Sequence, residues 1–360
     1  MRSYILRYIN DITKKKRISI ISLLLFLLCS CITSICVGAI EIPIENLLKI
    51  LGNTIFQLDF TGIPIQEESV FLAIRAPRVL LGALIGATLS ITGCSVQGMF
   101  RNPLAEPGLI GVSSGASLFA VMFIVVGHHV FSGLTLMFGY YALSIASFLG
   151  ALMTTWFLYK FSVTNSKTDI SSLLLLGIAI NALAIAFTGF FTYIATDDQL
   201  RTITFWSLGS LGGANWKTIL VILPFSLISI FGLLPLGKAL NAMALGESQA
   251  EHLGMDIRKI NRYIIVLAAI GVGASVAMAG IIGFIALLVP HLLRISISAD
   301  HKFLLPASAL LGSGLLVFAD LIARTIVVPA ELPIGILTAF MGVPMFVIII
   351  LRNKRERRNL

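Results

Sequence analysis

Ten apolar runs, most of them about 20 residues long, recur along this chain and narrow its folds to one class. They cover residues 18–40, 79–99, 109–126, 134–159, 173–193, 219–236, 263–279, 281–292, 304–326 and 334–351. A helix of that length crosses the hydrocarbon core of a bilayer and satisfies its own backbone hydrogen bonds there. Composition rules out a water-soluble globule. The chain is 57% hydrophobic and 12% charged, where a soluble domain carries about 25% charged residues. An all-α polytopic membrane protein with ten transmembrane helices per subunit is expected.

Charge sets the orientation. Lys14, Lys15, Lys16 and Arg17 precede the first run, and Arg352, Lys354, Arg355, Arg357 and Arg358 follow the last. Basic clusters beside apolar runs mark the cytoplasmic side, so both tails belong there and the number of spans is even. Residues 263–293 could form one long helix or two short ones. Gly280 and Gly283 suggest a break, and the even count requires it. With ten spans, 20 of the 26 Lys and Arg fall on the cytoplasmic side and six on the outer side. The domain plan is a basic cytoplasmic tail (1–17), one transmembrane domain (18–351) with a polar cytoplasmic segment at 239–261, and a basic cytoplasmic tail (352–360). The first run is too long for a cleaved signal core and reads as a span. Pairs such as Gly82/Gly86, Gly111/Gly115 and Gly273/Ala277 favour close helix packing.

Several functions are excluded by what these residues are. The net charge of +9 sits in membrane-flanking clusters with no aromatic stacking platform, which argues against nucleic acid. Cys29, Cys31, Cys36 and Cys94 lie in apolar runs without metal-ligand spacing and read as small hydrophobes. GLLPLGKA at 232–239 imitates a P-loop, but Ala239 stands where Ser or Thr must hold magnesium, and an apolar helix precedes it. Lys238 is a membrane-edge anchor, and any ATP that drives the protein binds on another chain. No catalytic constellation appears. His128 and His129 fall in an outer connection, and His252, His291 and His301 on the cytoplasmic side. Asp320 and Arg324, four residues apart, can neutralise each other within a helix.

Longer patterns occur in a fixed order: RAPRVLLG (75–82), QGMFRNPLAEPGLIGVSSGA (97–116), FWSLGSL (205–211), LGESQAEHLG (245–254), GFIALLVPHLLR (283–294), DLIAR (320–324) and ELPIGILTA (331–339). Together they resemble the FecCD-type permeases of iron-siderophore, haem and cobalamin importers, over about residues 71–351. The resemblance implies a cobalamin-permease-like bundle of ten spans, a homodimer around a central path, two cytoplasmic ATPase subunits and a periplasmic binding protein. It implies a bacterial inner-membrane location. ATP and magnesium would sit on the ATPase subunits, with no cofactor or metal on this chain.

The resemblance also carries residue roles. Arg75, Arg78 and Arg324 match family arginines that meet acidic residues of the binding protein. Leu245, Gly246, Glu247, Ala250, Leu253 and Gly254 match the segment that couples to the ATPase, with Gly254 expected to end the first of two short helices. Asn102, Pro103 and Pro107 are expected as scaffolding near the inner gate. The segment 196–216 is most similar to the haem-importing branch, where Arg201 is a candidate for contact with haem propionates through a bidentate guanidinium. Haem is therefore the expected cargo, with a ferric siderophore or cobalamin as the alternative. An ion-coupled secondary transporter is the rival from another class, but it needs ionisable residues inside the membrane, and these runs hold almost none.

Overall fold

In the computed structural model the backbone is described everywhere except at residues 1, 131, 165, 166, 169, 328, 329, 359 and 360, and side chains chiefly across 13–127, 136–163, 170–327 and 330–345. The described chain is helical apart from loops and one two-residue strand pair, Val163–Thr164 with Lys167–Thr168. The first half comprises α1 (Arg2–Cys36), α2 (Ile44–Phe56), α3 (Ile65–Val70), α4 (Ala76–Phe100), α5 (Val112–Val130), α6 (Ser132–Phe138), α7 (Ala142–Ser162) and α8 (Ile170–Tyr193). The second comprises α9 (Asp197–Leu208), α10 (Trp216–Leu233), α11 (Gly237–Ala244), α12 (Glu247–His252), α13 (Ile257–Ala279), α14 (Ile285–Ser296), α15 (His301–Thr325) and α16 (Ile334–Arg358).

Helices α1, α4, α5, α7, α8, α10, α13, α14, α15 and α16 take the places of the ten apolar runs. Seven stretches are long and apolar enough to cross a membrane, and α5, α14 and α16 supply shorter apolar ones. The chain is an all-α, multi-span membrane bundle. Its basic tails are not separate segments: α1 is helical from Arg2, and α16 continues to Arg358. The end of the bundle where Lys16 of α1 meets Asp300 is called here the near end, and the opposite end, where Arg78 meets Asp320, the far end.

Helix α4 is the axis. Twenty of its 25 residues are buried, as expected of a helix apolar on every side. Helix α15 lies along it, and α10, α13 and α14 also pack on it. Small residues set these approaches: a side chain at Gly86 would run into the carbonyl of Gly312, and one at Gly93 into that of Ala286. By contrast α8, only 17% buried along its most apolar stretch, lies on the perimeter with Leu175, Ile178 and Ile185 turned outward.

The expected break after α13 exists and spans residues 280–284, with both Gly280 and Gly283 inside it. Helix α13 ends at Gly280 (φ +72), and α14 begins after Phe284, whose φ of +65 is rare for a side chain of this size. Gly283 is not in that left-handed region. The 12 residues of α14 rise about 18 Å, short of the ~30 Å core. Residues 280–284 extend its crossing as irregular backbone, which membranes tolerate where protein encloses it.

Candidate functional site

At the far end a π-helical turn, Phe71–Arg75, joins α3 to α4. Such turns redirect side chains, and this one points Arg75 across to the end of α1. There its guanidinium donates to the carbonyls of Ile35 and Ile40, and the residue is buried. One helical turn later, Arg78 Nε donates to Asp320 Oδ2 at 2.9 Å and Nη2 to Oδ1 at 2.9 Å. The same guanidinium reaches Glu331, Nη1 to Oε1 at 2.8 Å and Nη2 to Oε2 at 2.9 Å. Arg324 donates to the carbonyls of Ser34 and Val37. The structure thus gathers the three arginines singled out above into one cleft of about 290 Å³, shared with Glu331.

Asp320 is held mainly by Arg78, not by its helical neighbour. Arg324 Nε stands 3.8 Å from Asp320 Oδ2, too far for a hydrogen bond. The self-neutralising pair read from the four-residue spacing is therefore secondary to a bond spanning 242 residues. The Glu331 carboxyl is held below its ordinary range, first by its hydrogen bond from Arg78 and then, against the effect of burial, by the charges of Arg78 and Arg324.

At the near end the polar stretch between α10 and α13 folds into α11 and α12. Gly246 (φ +119) separates them, and Gly254 (φ +79) follows the second. The first short helix therefore ends before Gly246, and Gly254 closes α12 instead. Asp256 then caps α13, accepting from Lys259 N at 3.1 Å. Of the coupling residues, Ala250 is fully buried, while Leu245 and Leu253 are 68% and 60% exposed. Two large apolar side chains turned to solvent beside a short polar helix form a face that calls for a cover.

Ties that no single stretch of sequence reveals position this segment. Lys16 Nζ meets Asp300 Oδ2 at 2.7 Å, and Asn241 Nδ2 donates to Asp300 Oδ1 at 2.6 Å. Asn241 Oδ1 accepts from His301 N at 2.8 Å. Helices α1, α11 and α15 are thereby joined. Burial pushes the Asp300 carboxyl up, but hydrogen bonds from Lys16, Asn241 and the Lys302 amide, with the Lys16 charge, outweigh it and hold the group at about 2. Arg101, at the end of α4, reaches Glu247 of α12 at 3.0 Å. Deeper, Gln97 bridges α4 to α14, donating to the Leu287 carbonyl at 3.1 Å and accepting from Arg294 at 3.0 Å.

The remaining expected residues are dispersed. Asn102 and Pro103 line a cleft of about 280 Å³ at the near end with Gln97 and Arg294. Pro107 starts a 3₁₀ turn, and Asn102 Oδ1 accepts from Leu104 N at 2.9 Å. Arg201 is exposed on α9, 5.9 Å over the Phe205 ring and apart from the arginine cleft. Helix α9 lies outside the ten apolar runs, although its Thr196–Gln199 capping box is legible in the sequence. His128 and His129 end α5, and their side chains lie outside the described residues. The P-loop mimic is helix and 3₁₀ turn, with no strand before it. Cys94 is buried, whereas Cys29 is exposed on α1. Among the described residues no cluster of His, Cys, Asp or Glu could hold a metal ion.

Comparison with known proteins agrees with this architecture. The model of the FecCD transport family matches residues 24–352. The hemin transport system permease protein of Yersinia pestis is 45% identical over 292 residues, 80% of this chain and 85% of that protein. A cobalamin import system permease protein of Halobacterium salinarum is 36% identical, covering 82% of this chain and 77% of the relative. A solved ABC transporter of metal-chelate type, in an inward-facing conformation, superposes with a TM-score of 0.79 at 30% identity, over 92% of this chain and 98% of that one. The chain belongs to the FecCD transport family and is the membrane-spanning permease subunit of an ABC importer.

Proposed function

We propose that this subunit imports haem across the bacterial inner membrane, pairing with a second copy of itself and taking its energy from two cytoplasmic ATPase subunits that bind ATP and magnesium. The observation that carries the cargo is the 45% identity to a hemin permease. A ferric siderophore or cobalamin is the second reading, favoured by the cobalamin permease relative. The 20-to-six charge asymmetry supports placing both tails in the cytoplasm.

In this reading each end has its own partner. The far-end cleft receives the substrate-binding protein: three guanidiniums (Arg75, Arg78, Arg324) face two carboxylates (Asp320, Glu331), leaving one positive charge for an acidic partner. Charge pairs of this kind set register and encounter rate more than affinity. The near-end pair α11–α12 docks on the ATPase, which covers Leu245 and Leu253. Gln97, Arg294, Asn102, Pro103 and Pro107 stabilise the inner gate. Arg201 offers a guanidinium to a cargo carboxylate. A weakly interacting path is required, since a tight site would trap the cargo. The test is uptake in proteoliposomes reconstituted with the ATPase and binding protein, comparing haem, a ferric siderophore and cobalamin. ATP-dependent uptake of haem alone is expected. Uptake of either of the others without haem would overturn the cargo assignment, and ATP hydrolysis by this chain in isolation would overturn the partnership.

A further inference from the structure

Between α7 and α13 the bundle surface carries a groove of about 360 Å³ that the transport reading does not use. Residues at helical spacing build it: Thr155, Trp156 and Tyr159 on α7, and Arg262, Val266 and Ala269 on α13. From Arg262 to Ile270 it runs about 12 Å along α13. It is apolar along this length and cationic at its near end. Tyr159 and Arg262 also line the adjoining polar cleft, with Arg258, Lys259 and Asn261. The Lys160 ammonium stands beside it, 5.0 Å over the ring of the exposed Trp156.

Two cations at this mouth, Lys160 and Arg262, have no carboxylate partner among the described residues. The carboxylates around the cleft are engaged: Glu247 with Arg101, Asp256 with Lys259, and Glu251 as well. Two side chains along these walls carry a buried polar atom with no hydrogen-bond partner: Thr155 Oγ1 beside the groove and Asn261 Oδ1 beside the cleft, both residues only 2% exposed.

We propose that this groove binds an anionic phospholipid, with an acyl chain between α7 and α13 and the phosphate between Arg262 and Lys160. The pieces match one ligand in order. An apolar slot within the membrane takes a hydrocarbon chain. Thr155 donates to a glycerol ester carbonyl. Trp156 and Tyr159 sit at headgroup level, where amphipathic rings belong. Two unpaired cations take the phosphate, as basic pockets between membrane helices do. Asn261 Oδ1, an acceptor, takes a headgroup hydroxyl, which makes phosphatidylglycerol the best-fitting class. Placing the site in the inner leaflet rests on the cytoplasmic assignment of the near end; its chemistry does not.

The test uses the assembled importer in detergent, titrated with phosphatidylglycerol or phosphatidylcholine of identical chains and read by native mass spectrometry. Preferential retention of phosphatidylglycerol is expected. Arg262→Gln and Lys160→Gln should each weaken it about five-fold without changing phosphatidylcholine. Ala269→Phe should remove it by filling the slot, and Val266→Trp, at the exposed rim, should do the same if the buried change prevents folding. Equal retention of the two lipids overturns the proposal. So does indifference to Arg262→Gln, or competition by inorganic phosphate alone. A changed subunit stoichiometry in Val266→Trp would mean that protein covers the groove, and would also overturn it. Bound lipid is read without cargo or ATP, so failure here is distinguishable from failure of the haem assignment.

Discussion

At the far end, Arg78 and Asp320 are 11% and 3% exposed and satisfy each other inside the protein. At the near end, Arg101 and Glu247 make an equally short contact at 43% exposure each. The two pairs look alike on a list of distances and differ in energy. A buried pair has surrendered its water, so loss of one member leaves an uncompensated charge. An exposed pair recovers its water when broken. The far end is therefore a welded surface whose shape is fixed before a partner arrives. The near end is held by a few ties and leaves Leu245 and Leu253 exposed, which fits the lever that the proposed coupling role requires. That division suits an importer, which must present a constant face to one partner and move with the other.

The strongest way to break the comparison is at Gly254. A β-carbon there meets nothing within 4 Å, but φ is +79. Gly254→Arg costs about 1–2 kcal/mol of backbone strain and should leave the subunit folded. With α11–α12 docking on the ATPase as proposed, ATP-driven uptake should nonetheless fall to background, because the side chain would occupy that face. Normal uptake in that variant would remove the coupling role.

At the far end the largest loss should be in stability. Asp320→Ala takes the acceptor from Arg78 Nε and leaves Glu331 as the remaining carboxylate partner, and should cost about 1–3 kcal/mol, read as a fall in the thermal midpoint of the purified importer. Reversing Arg75 and Arg78 to Glu would break the internal bonds of the cleft as well as repel an acidic partner, so it does not isolate docking. Glu331→Gln is cleaner. That carboxylate is 45% exposed, and neutralising it frees positive charge, so binding-protein affinity should rise. A fall would mean that the arginines serve the fold alone.

Between these lies the tie of Lys16, Asp300 and Asn241. Asp300→Asn should cost about 1–2 kcal/mol and loosen α11, so that more ATP is hydrolysed per molecule carried. The pH dependence has a definite sign. The Asp300 carboxyl falls from an ordinary value of 3.8 to about 2 on folding. Its contribution is therefore complete above about pH 4 and is lost as pH falls through 2. Coupling through this tie should be flat between pH 5 and 8, and a change within that window would assign the effect to another group.

Which of these features the sequence discloses follows from their range. The ten spans are legible because lipid imposes a length and a composition on every one, and the break near Gly280 because an even count demands it. Helix α9 is amphipathic and short of a span, so only its Thr196–Gln199 box betrays it. The pair α11–α12 is legible as polar residues between spans, but the boundary between its helices is not, since Gly246 and Gly254 look alike until φ is known. The bonds that define the ends join Arg78 to residues 242 and 253 positions away. No local pattern encodes such a partner, and at Asp320 the local pattern misled, offering Arg324 where Arg78 holds the carboxylate.

The smallest effect should come from the exposed pair, and it sharpens the comparison most. Arg101→Gln removes a contact worth at most about 1 kcal/mol, so the thermal midpoint should barely move. Arg101 nevertheless links the end of the central helix α4 directly to α12, the helix proposed to dock on the ATPase. If the near end is a lever, the variant should keep its stability and lose efficiency, with uptake per ATP reduced while ATP hydrolysis persists. If both quantities stay at the wild-type level, α12 is steered by the ATPase surface alone, and the ties at the near end serve assembly rather than transmission.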